Sequence, residues 1–223
     1  MIDYLLKSAG CLALLLLFYH LVLEKEKMHI FNRFYLLGSV IFSLLVPFAT
    51  LTVASTTAFT EAVKPILYTT ASIENTAPIS IKESFDYSLV FIGIYGFVSS
   101  ILLLRFGKNV FTIIQKIKAN KKIQHQSATL VLVEDTILPH SFWNAIFINK
   151  NEFEQGSIET ELFTHELTHV SQKHTLDILF IAMLHILFWI NPLFIFFKKA
   201  IQLNHEFLAD ETVINQHQNT FQY

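Results

Sequence analysis

The chain has 223 residues, which is enough for one ordinary domain or for a small membrane bundle with a modest soluble part. Apolar residues make up 52% of the sequence and charged residues only 15%, whereas a soluble domain usually carries about 25% charged residues. This deficit indicates that lipid forms part of the solvent. The net charge of −2 does not indicate any class of partner, and no basic tract with interleaved aromatic residues suggests nucleic-acid binding.

Three apolar segments are long enough to cross a bilayer as helices, since a span needs about 20 mainly apolar residues. They are residues 4–23, 34–54 and 87–104. The first has no basic region before it and no small-residue cleavage site after it, so we predict a retained transmembrane helix and not a signal peptide. Residues 1–104 are therefore predicted to form a transmembrane region with an outer loop at 55–86.

Lysine and arginine residues are unevenly distributed among the connecting segments, and cytoplasmic loops usually carry the excess. The loop at 24–33 holds three of them, the longer segment 55–86 holds two, and six follow the third span between residues 105 and 122. This bias predicts an N-terminus outside, the loop 24–33 inside and segment 55–86 outside. Everything from Arg105 onward is then expected to face the cytoplasm.

The chain beyond the third span has the pattern of a small α+β domain. Apolar residues at helical spacing predict a helix at 106–118, which either lies on the inner membrane surface or extends the third span. Apolar runs at 129–134 and 145–149 predict two strands. Ser157 is placed to act as a helix N-cap, with two glutamates in the following turn where the helix dipole favours them.

The helix that follows contains His165-Glu166-Leu167-Thr168-His169, an HExxH motif. Residues four apart share a helix face, so both imidazoles can bind one metal ion, and zinc accepts neutral imidazole nitrogens. Glu166 would lie beside the ion, where it can accept a proton from the attacking water. The apolar residues that flank the motif suit a buried catalytic helix.

A third metal ligand is predicted in the polar helix downstream. A catalytic zinc takes three protein ligands and leaves a fourth position for water. Glu206 can supply the third ligand, and Asp210, one turn later on the same face, can accept a hydrogen bond from a ligand imidazole. A solvated helix face is the ordinary alternative for both residues, and the HExxH motif favours the metal site.

An apolar stretch at 176–197 separates the motif from Glu206, and hydropathy alone would make it a fourth span. An odd number of crossings would leave Glu206 about 30 Å from the two histidines, across the hydrocarbon core. Pro192 lacks a backbone N–H and disfavours helix at Asn191, so we predict a reversal there. Residues 176–203 should then form a helical hairpin that returns Glu206 to the metal.

Other residues around the motif carry weaker signals. His174 and Asp177 are expected to help end or solvate the motif helix, and His185 to form a hydrogen bond within a helix pair. His140 lies between the two predicted strands and is a minor candidate for contact with substrate. The strand at 145–149 is expected to bind substrate as an added β-strand, because backbone pairing tolerates varied side chains.

Three sequence features together resemble the BlaR/MecR family of integral-membrane zinc metallopeptidases. They are the HELTH motif, the block Phe188-Trp189-Ile190-Asn191-Pro192-Leu193, and Glu206-x-x-Ala209-Asp210. By this resemblance His165, His169 and Glu206 match the zinc ligands, Glu166 the catalytic base and Asp210 the supporting acid. It covers roughly residues 1–212.

The resemblance implies a mainly α membrane protein with three N-terminal transmembrane helices. Residues 105–223 would form a small α+β zincin-like domain on the cytoplasmic side of a bacterial-type inner membrane. Family members with known roles sense β-lactams through a C-terminal penicillin-binding domain. This sequence ends before such a domain and contains no Ser-x-x-Lys motif, so a β-lactam role is not expected.

We therefore predict a Zn²⁺-dependent endopeptidase that acts in the lipid bilayer on a protein or peptide substrate, with a cytoplasmic regulator as the class that the resemblance implies. One open alternative is a housekeeping protease resembling HtpX or the CAAX proteases, which share HExxH and a downstream Glu-x-x-Ala-Asp. Another is a non-catalytic receptor or scaffold with structural zinc. The FW-x-NP-L block favours the first interpretation, and the sequence leaves a homodimer open.

Overall fold

The computed structural model describes residues 2–49 and 87–218, which form a mainly helical structure with one small sheet. The predicted outer loop at 55–86 lies outside the described residues. The helices are α1 (Ile2–Phe18), α2 (His29–Leu45), α3 (Tyr87–Ala119), α4 (Lys150–Gln155), α5 (Thr160–Ser171), α6 (His174–Leu187) and α7 (Leu193–Gln218). The strands are β1 (Lys121–His125), β2 (Ala128–Val133), β3 (His140–Phe142) and β4 (Ala145–Asn149). The predicted combination of apolar helices and a small α+β part is confirmed.

Three of the described helical segments are long and apolar enough to cross a membrane, by length and composition. They are Asp3–Leu23, His29–Phe48 and Tyr87–Ala119. The second starts five residues before the predicted span at 34–54, because hydropathy marks only the apolar part of a helix. Its α-helical part ends at Leu45, just before Pro47, which cannot donate a backbone hydrogen bond inside a helix.

The third apolar helix continues without a break past the predicted end at residue 104. The apolar stripe at 106–118 therefore extends α3 and does not form a separate helix on a membrane surface. Two of its members, Ile113 and Ile117, pack against the sheet. The helix thus joins the apolar N-terminal part of the chain directly to the α+β part.

Helices α1, α2, α6 and α7 form a bundle around a shared apolar core. The buried members of this core are Leu12, Leu16, Tyr19, Leu23, Leu36, Val40, Ile181, Phe194, Phe197, Ala200 and Ile201. Since α6 and α7 lie among the N-terminal helices, the segment between the HExxH motif and Glu206 is part of this bundle.

The chain reverses direction between α6 and α7. Asp177, in the first turn of α6, contacts His205 far along α7, whereas Phe188, just after α6, stacks on Phe194 with ring centroids 5.5 Å apart. The two helices therefore run antiparallel. The Asn191 side chain accepts a hydrogen bond from the backbone N–H of Leu193 and so starts α7 immediately after Pro192. This is the hairpin that the Asn191-Pro192 pair predicts.

The four strands are ordered β1-β2-β4-β3, with β2 and β4 parallel and the outer pairs antiparallel. Both central strands are buried on both faces, which is why their sequences are almost continuously apolar. One face packs on α5 and the other on α3. The expectation that β4 binds substrate as an added strand was wrong, because β4 pairs with a neighbour on each side. The edge strands of the described sheet are β1 and β3, and β3 is the one that lines the cleft described below.

The predicted N-cap of the motif helix was also wrong. The helix α5 begins at Thr160 with Glu159 as its N-cap residue. Ser157 instead donates its hydroxyl and its backbone N–H to the carbonyl of Glu152, in the first turn of α4. The left-handed conformation of Gly156, with φ of 65°, turns the chain back over α4 and makes this contact close.

The core of the bundle yields a direct test of the hairpin. Phe197 is fully buried and its neighbour Phe196 is 51% exposed, so the two substitutions to Ala form a matched pair. Phe197→Ala should lower the free energy of unfolding by roughly 3–5 kcal/mol, because it leaves a cavity. Phe196→Ala should change it by only about 0.5 kcal/mol. Circular dichroism of the detergent-solubilised chain during denaturation measures both, and equal losses would contradict the packing.

Candidate metal centre

The two histidines of the HExxH motif and Glu206 lie together where α5 packs on α7. The Nε2 atoms of His165 and His169 are 3.1 Å apart. The carboxylate of Glu206 lies 3.3 Å from Nε2 of His165 and 3.8 Å from Nε2 of His169. One donor atom from each residue can be chosen so that all three are within 4.8 Å of one another. The three residues that sequence analysis selected as ligands are therefore brought to one point.

Each of the two imidazoles contacts a further side chain through its Nδ1 atom, on the side of the ring away from the candidate metal position. Nδ1 of His165 lies 3.0 Å from Oδ1 of Asp210, the residue that the sequence proposed as a supporting acid. Nδ1 of His169 lies 2.8 Å from Nδ1 of His174. An imidazole that binds metal through Nε2 carries its proton on Nδ1, so both contacts fit hydrogen bonds donated away from the site.

His174 is therefore not at a solvated helix end, as the sequence suggested. It is buried, with 3% of its surface exposed. The intervening Lys173 adopts a left-handed conformation with φ of 56°, which makes the turn from α5 to α6 very tight. This turn brings His174 back against His169. A positive φ at lysine has no sequence signature, which is why the contact was missed.

Burial keeps the imidazole of His169 neutral. Burial, together with the nearby His165 and His205, lowers the pKa of His169 to about 4. At neutral pH the ring is therefore uncharged, and its Nε2 lone pair is free to bind a cation. Two imidazoles and one carboxylate form a donor set that zinc accepts, so the side chains present fit the metal that the motif predicts.

Glu166 lies in a different environment from Glu206. It is buried, with 8% of its surface exposed, whereas the side chain of Glu206 is 55% exposed. Burial raises the pKa of the Glu166 carboxyl, and a hydrogen bond with Ser141 partly opposes this rise. The carboxylate therefore has a stronger tendency to take up a proton than an ordinary surface glutamate.

The site opens into a cleft of about 320 Å³ between the sheet edge and the helices. Its walls include the whole of β3, the three candidate ligands, Glu166 and apolar side chains of α6. His140 stacks on Phe147 with ring centroids 4.9 Å apart and lies in this wall. The cleft is large enough for a few residues of an extended peptide and leaves the candidate metal position accessible.

Sequence reasoning missed several residues that surround the centre. They are Arg33, Ser141, Gln172 and His205, and each contacts a residue of the site or its support. Their partners lie up to 144 positions away along the chain, so no local pattern reports them.

The hydrogen bond expected for His185 is not seen at its Nδ1, which is buried without a partner among the described residues.

Comparison with known protein families identifies the family of this chain. A search of curated proteins finds no match to the chain. A family model described as BlaR1 peptidase M56 matches residues 6–223, which include the apolar N-terminal helices, the HExxH motif and the helix that carries Glu206. The match extends over nearly the whole length, and the chain belongs to the BlaR1 peptidase M56 family.

Proposed function

We propose that the chain is a membrane-embedded, zinc-dependent endopeptidase with His165, His169 and Glu206 as metal ligands and Glu166 as catalytic base. Membership of the M56 peptidase family implies protease activity. The observation that carries the proposal is the convergence of the three donors beside a buried carboxylate, on the wall of an open cleft. Protein cleavage in signal transduction, on a cytoplasmic regulator, is the role suggested by the resemblance to BlaR/MecR proteins.

The protein side chains account for the proton transfers of hydrolysis. A bound zinc supplies Lewis acidity, which polarises a carbonyl oxygen and makes a water molecule more acidic. Glu166 accepts the proton of the attacking water and then donates it to the leaving amine. Its raised pKa helps both steps, since the carboxyl must hold the proton between them. Ser141 keeps the carboxylate oriented toward the cleft, and Asp210 and His174 fix the ligand imidazoles.

The free edge of β3 is the proposed binding site for the peptide backbone. This strand pairs with β4 along one edge and forms part of the cleft wall beside Glu166. A substrate added antiparallel to β3 would place its backbone across the candidate metal position. Recognition through the backbone suits a protease whose substrate must be extended. His140, at the start of the strand, is a candidate for contact with the scissile region.

The arrangement of helices supports an active centre at the cytoplasmic surface. The reversal at Asn191-Pro192 lies beside the start of α1, around Leu5 and Leu6. The metal centre lies at the opposite end of the bundle, beside the start of α2, which the charge bias places inside. The helix α6 has 14 residues and is about 21 Å long, too short to span a bilayer alone. We infer that the hairpin is sunk into the membrane among the three spans.

We propose that the chain divides into a transmembrane region, 1–104, and an inward-facing catalytic region, 105–223, whose apolar hairpin at 176–203 packs among helices of the first region. The helix α3 crosses that boundary, so one uninterrupted helix joins the two regions. A structural zinc site in a non-catalytic scaffold is less well supported. Among the described residues the cluster holds three candidate ligands, and all three line the open cleft. A closed site would place a fourth protein ligand there.

The metal assignment predicts a definite stoichiometry. The purified chain should bind about one zinc, because a catalytic site of this type holds a single ion. His165→Ala and His169→Ala should each lose most of it. His125→Ala, which changes an exposed histidine of β1, is the control and should retain it. Elemental analysis after dialysis measures the content, and full retention in both ligand variants would contradict the assignment.

The proposed role of Glu166 separates metal binding from catalysis. Glu166→Gln keeps the size of the side chain but cannot accept the proton, so proteolysis should fall by about 10²- to 10⁴-fold. Zinc content should stay at the wild-type level, since Glu166 is not a ligand. Glu161→Gln, an exposed position on the same helix, is the matched control. Comparing the proteomes of cells with each variant should reveal a cleavage product that depends on Glu166. Activity near wild type would remove this residue from the mechanism.

The topology is testable by cysteine labelling. In a Cys11→Ser background, a cysteine introduced at Thr76, outside the described residues, should react with an impermeant reagent in intact cells. A cysteine at Asn120, directly after α3, should react only after lysis. The reason is the lysine and arginine bias, which places residue 120 in the cytoplasm. The reverse labelling pattern would invert the orientation.

A further inference from the structure

Arg33, near the start of α2, donates hydrogen bonds to both sides of the tight turn that connects α5 to α6, at Gln172 and at Asp177 in the first turn of α6. Its Nε donates to Oδ2 of Asp177 at 2.6 Å, and its Nη2 donates to the backbone carbonyl of Gln172 at 2.8 Å. Both charged side chains are largely buried, with 17% and 10% exposure. In the sequence, His174 lies between these two hydrogen-bond acceptors. A residue of the second apolar helix therefore holds the turn that supports the metal centre.

His174 is fixed on several sides by this arrangement. Its Nδ1 faces His169, and its Nε2 lies 3.1 Å from the side-chain oxygen of Gln172. Its ring is stacked on His205, with centroids 3.9 Å apart and planes 3° from parallel. His205 in turn places its Nε2 2.9 Å from Oδ2 of Asp177. The same carboxylate oxygen that binds Arg33 therefore fixes the ring on which His174 rests.

The hydrogen-bond chain has one consistent set of tautomers. If His169 presents Nε2 to a metal, its Nδ1 carries the proton and donates to Nδ1 of His174. His174 then carries its own proton on Nε2 and donates it to the Gln172 side chain. Gln172 is the residue whose backbone carbonyl accepts from Arg33. Each member of the chain is thus oriented for the next, from α2 to the candidate ligand.

We propose that Arg33 is a positioning residue for the metal centre, acting through Asp177, His205 and His174 on the ligand His169. The inference rests on the proposed zinc site and adds a dependence of that site on the second apolar helix. The planar guanidinium suits this role because it donates in two directions at once, to a carboxylate and to a carbonyl. A lysine at this position has a single ammonium group and cannot bridge the two acceptors with the same geometry.

A simple structural tie between helices is the competing explanation, and the chain contains a control for it. The Asn204 side chain donates to the backbone carbonyl of His29 at 2.9 Å and ties α7 to α2 independently. It takes no part in the contacts that hold His174. Loss of the Asn204 hydrogen bond should lower the stability of the helix packing alone. Loss of Arg33 should lower that stability and also weaken metal binding.

The test uses the full chain in detergent and two readouts of the metal. Zinc affinity is measured by competition with a chromophoric chelator, and ligand geometry by the visible absorption of the Co²⁺-loaded chain. Arg33→Lys and Asp177→Asn should each weaken zinc binding by about 10- to 100-fold and shift the Co²⁺ absorption bands, as loss of outer partners of metal ligands does. Asn204→Ala should lower the unfolding temperature and leave both metal readouts unchanged.

A pair of substitutions at His174 separates positioning from packing. His174→Phe keeps a ring against His205 but removes the acceptor, so it should weaken zinc binding like Arg33→Lys. His174→Asn places an amide oxygen near the position of Nδ1 and should retain zinc affinity within a few fold of wild type. Rescue by Asn but not by Phe is specific to the hydrogen bond with His169.

Folded variants at positions 33 and 177 with wild-type affinity and spectrum would overturn the inference, as would an equal loss in Asn204→Ala. If Arg33→Lys does not fold, Asp177→Asn decides the outcome. Failure of the proposed zinc site has a different signature, since the wild-type chain would then bind neither Zn²⁺ nor Co²⁺. Wild-type binding with unchanged variants would remove only the role of Arg33.

Discussion

The structure depends on one geometric requirement. Three donor atoms, from two helices that are far apart in the sequence, must reach the same point. Two are supplied by one turn of α5, and the third, Glu206, follows 37 residues after His169. The segment between them is mostly apolar, so it can be neither a polar loop nor a single span. An antiparallel hairpin meets both conditions, because it stays among apolar helices and returns its end to the side where it began. The packing of α6 and α7 on α1 and α2 follows from this requirement.

The sheet contributes both to the core of the fold and to the wall of the candidate centre. Its two central strands are buried between α5 and α3, so the orientation of the motif helix relative to the third apolar helix is fixed through them. The short β3 forms one edge of this sheet and lines the cleft together with Glu166. Burial of one glutamate and exposure of another, both near the same ion position, gives them different chemical characters. The buried one suits proton transfer and the exposed one suits metal binding.

The sequence predicted those parts of the molecule whose physical cause is local. Apolar length predicts the three long helices, continuous apolar runs predict β2 and β4, and helical spacing places two imidazoles on one face. The edge strands were missed because β1 is polar and exposed and β3 has only three residues. The contact of His174 with His169 depends on a left-handed lysine, and the contact of Arg33 with Asp177 joins residues 144 positions apart. No periodicity encodes such contacts, which arise only when tertiary packing is complete.

The ion pair of Arg33 and Asp177 also bears on why charged residues occur at this depth of an apolar bundle. Desolvation of two charges can outweigh their mutual attraction, so a buried pair is weak evidence for stability. An apolar pair of similar size would tie α2 to α6 equally well. It would not orient the ring of His205 or hold the carbonyl of Gln172, and both contacts end at the histidine behind the candidate ligand. What the charged pair adds is therefore the orientation of the His205 ring and of the Gln172 backbone. Both residues contact His174, which lies behind the candidate ligand His169.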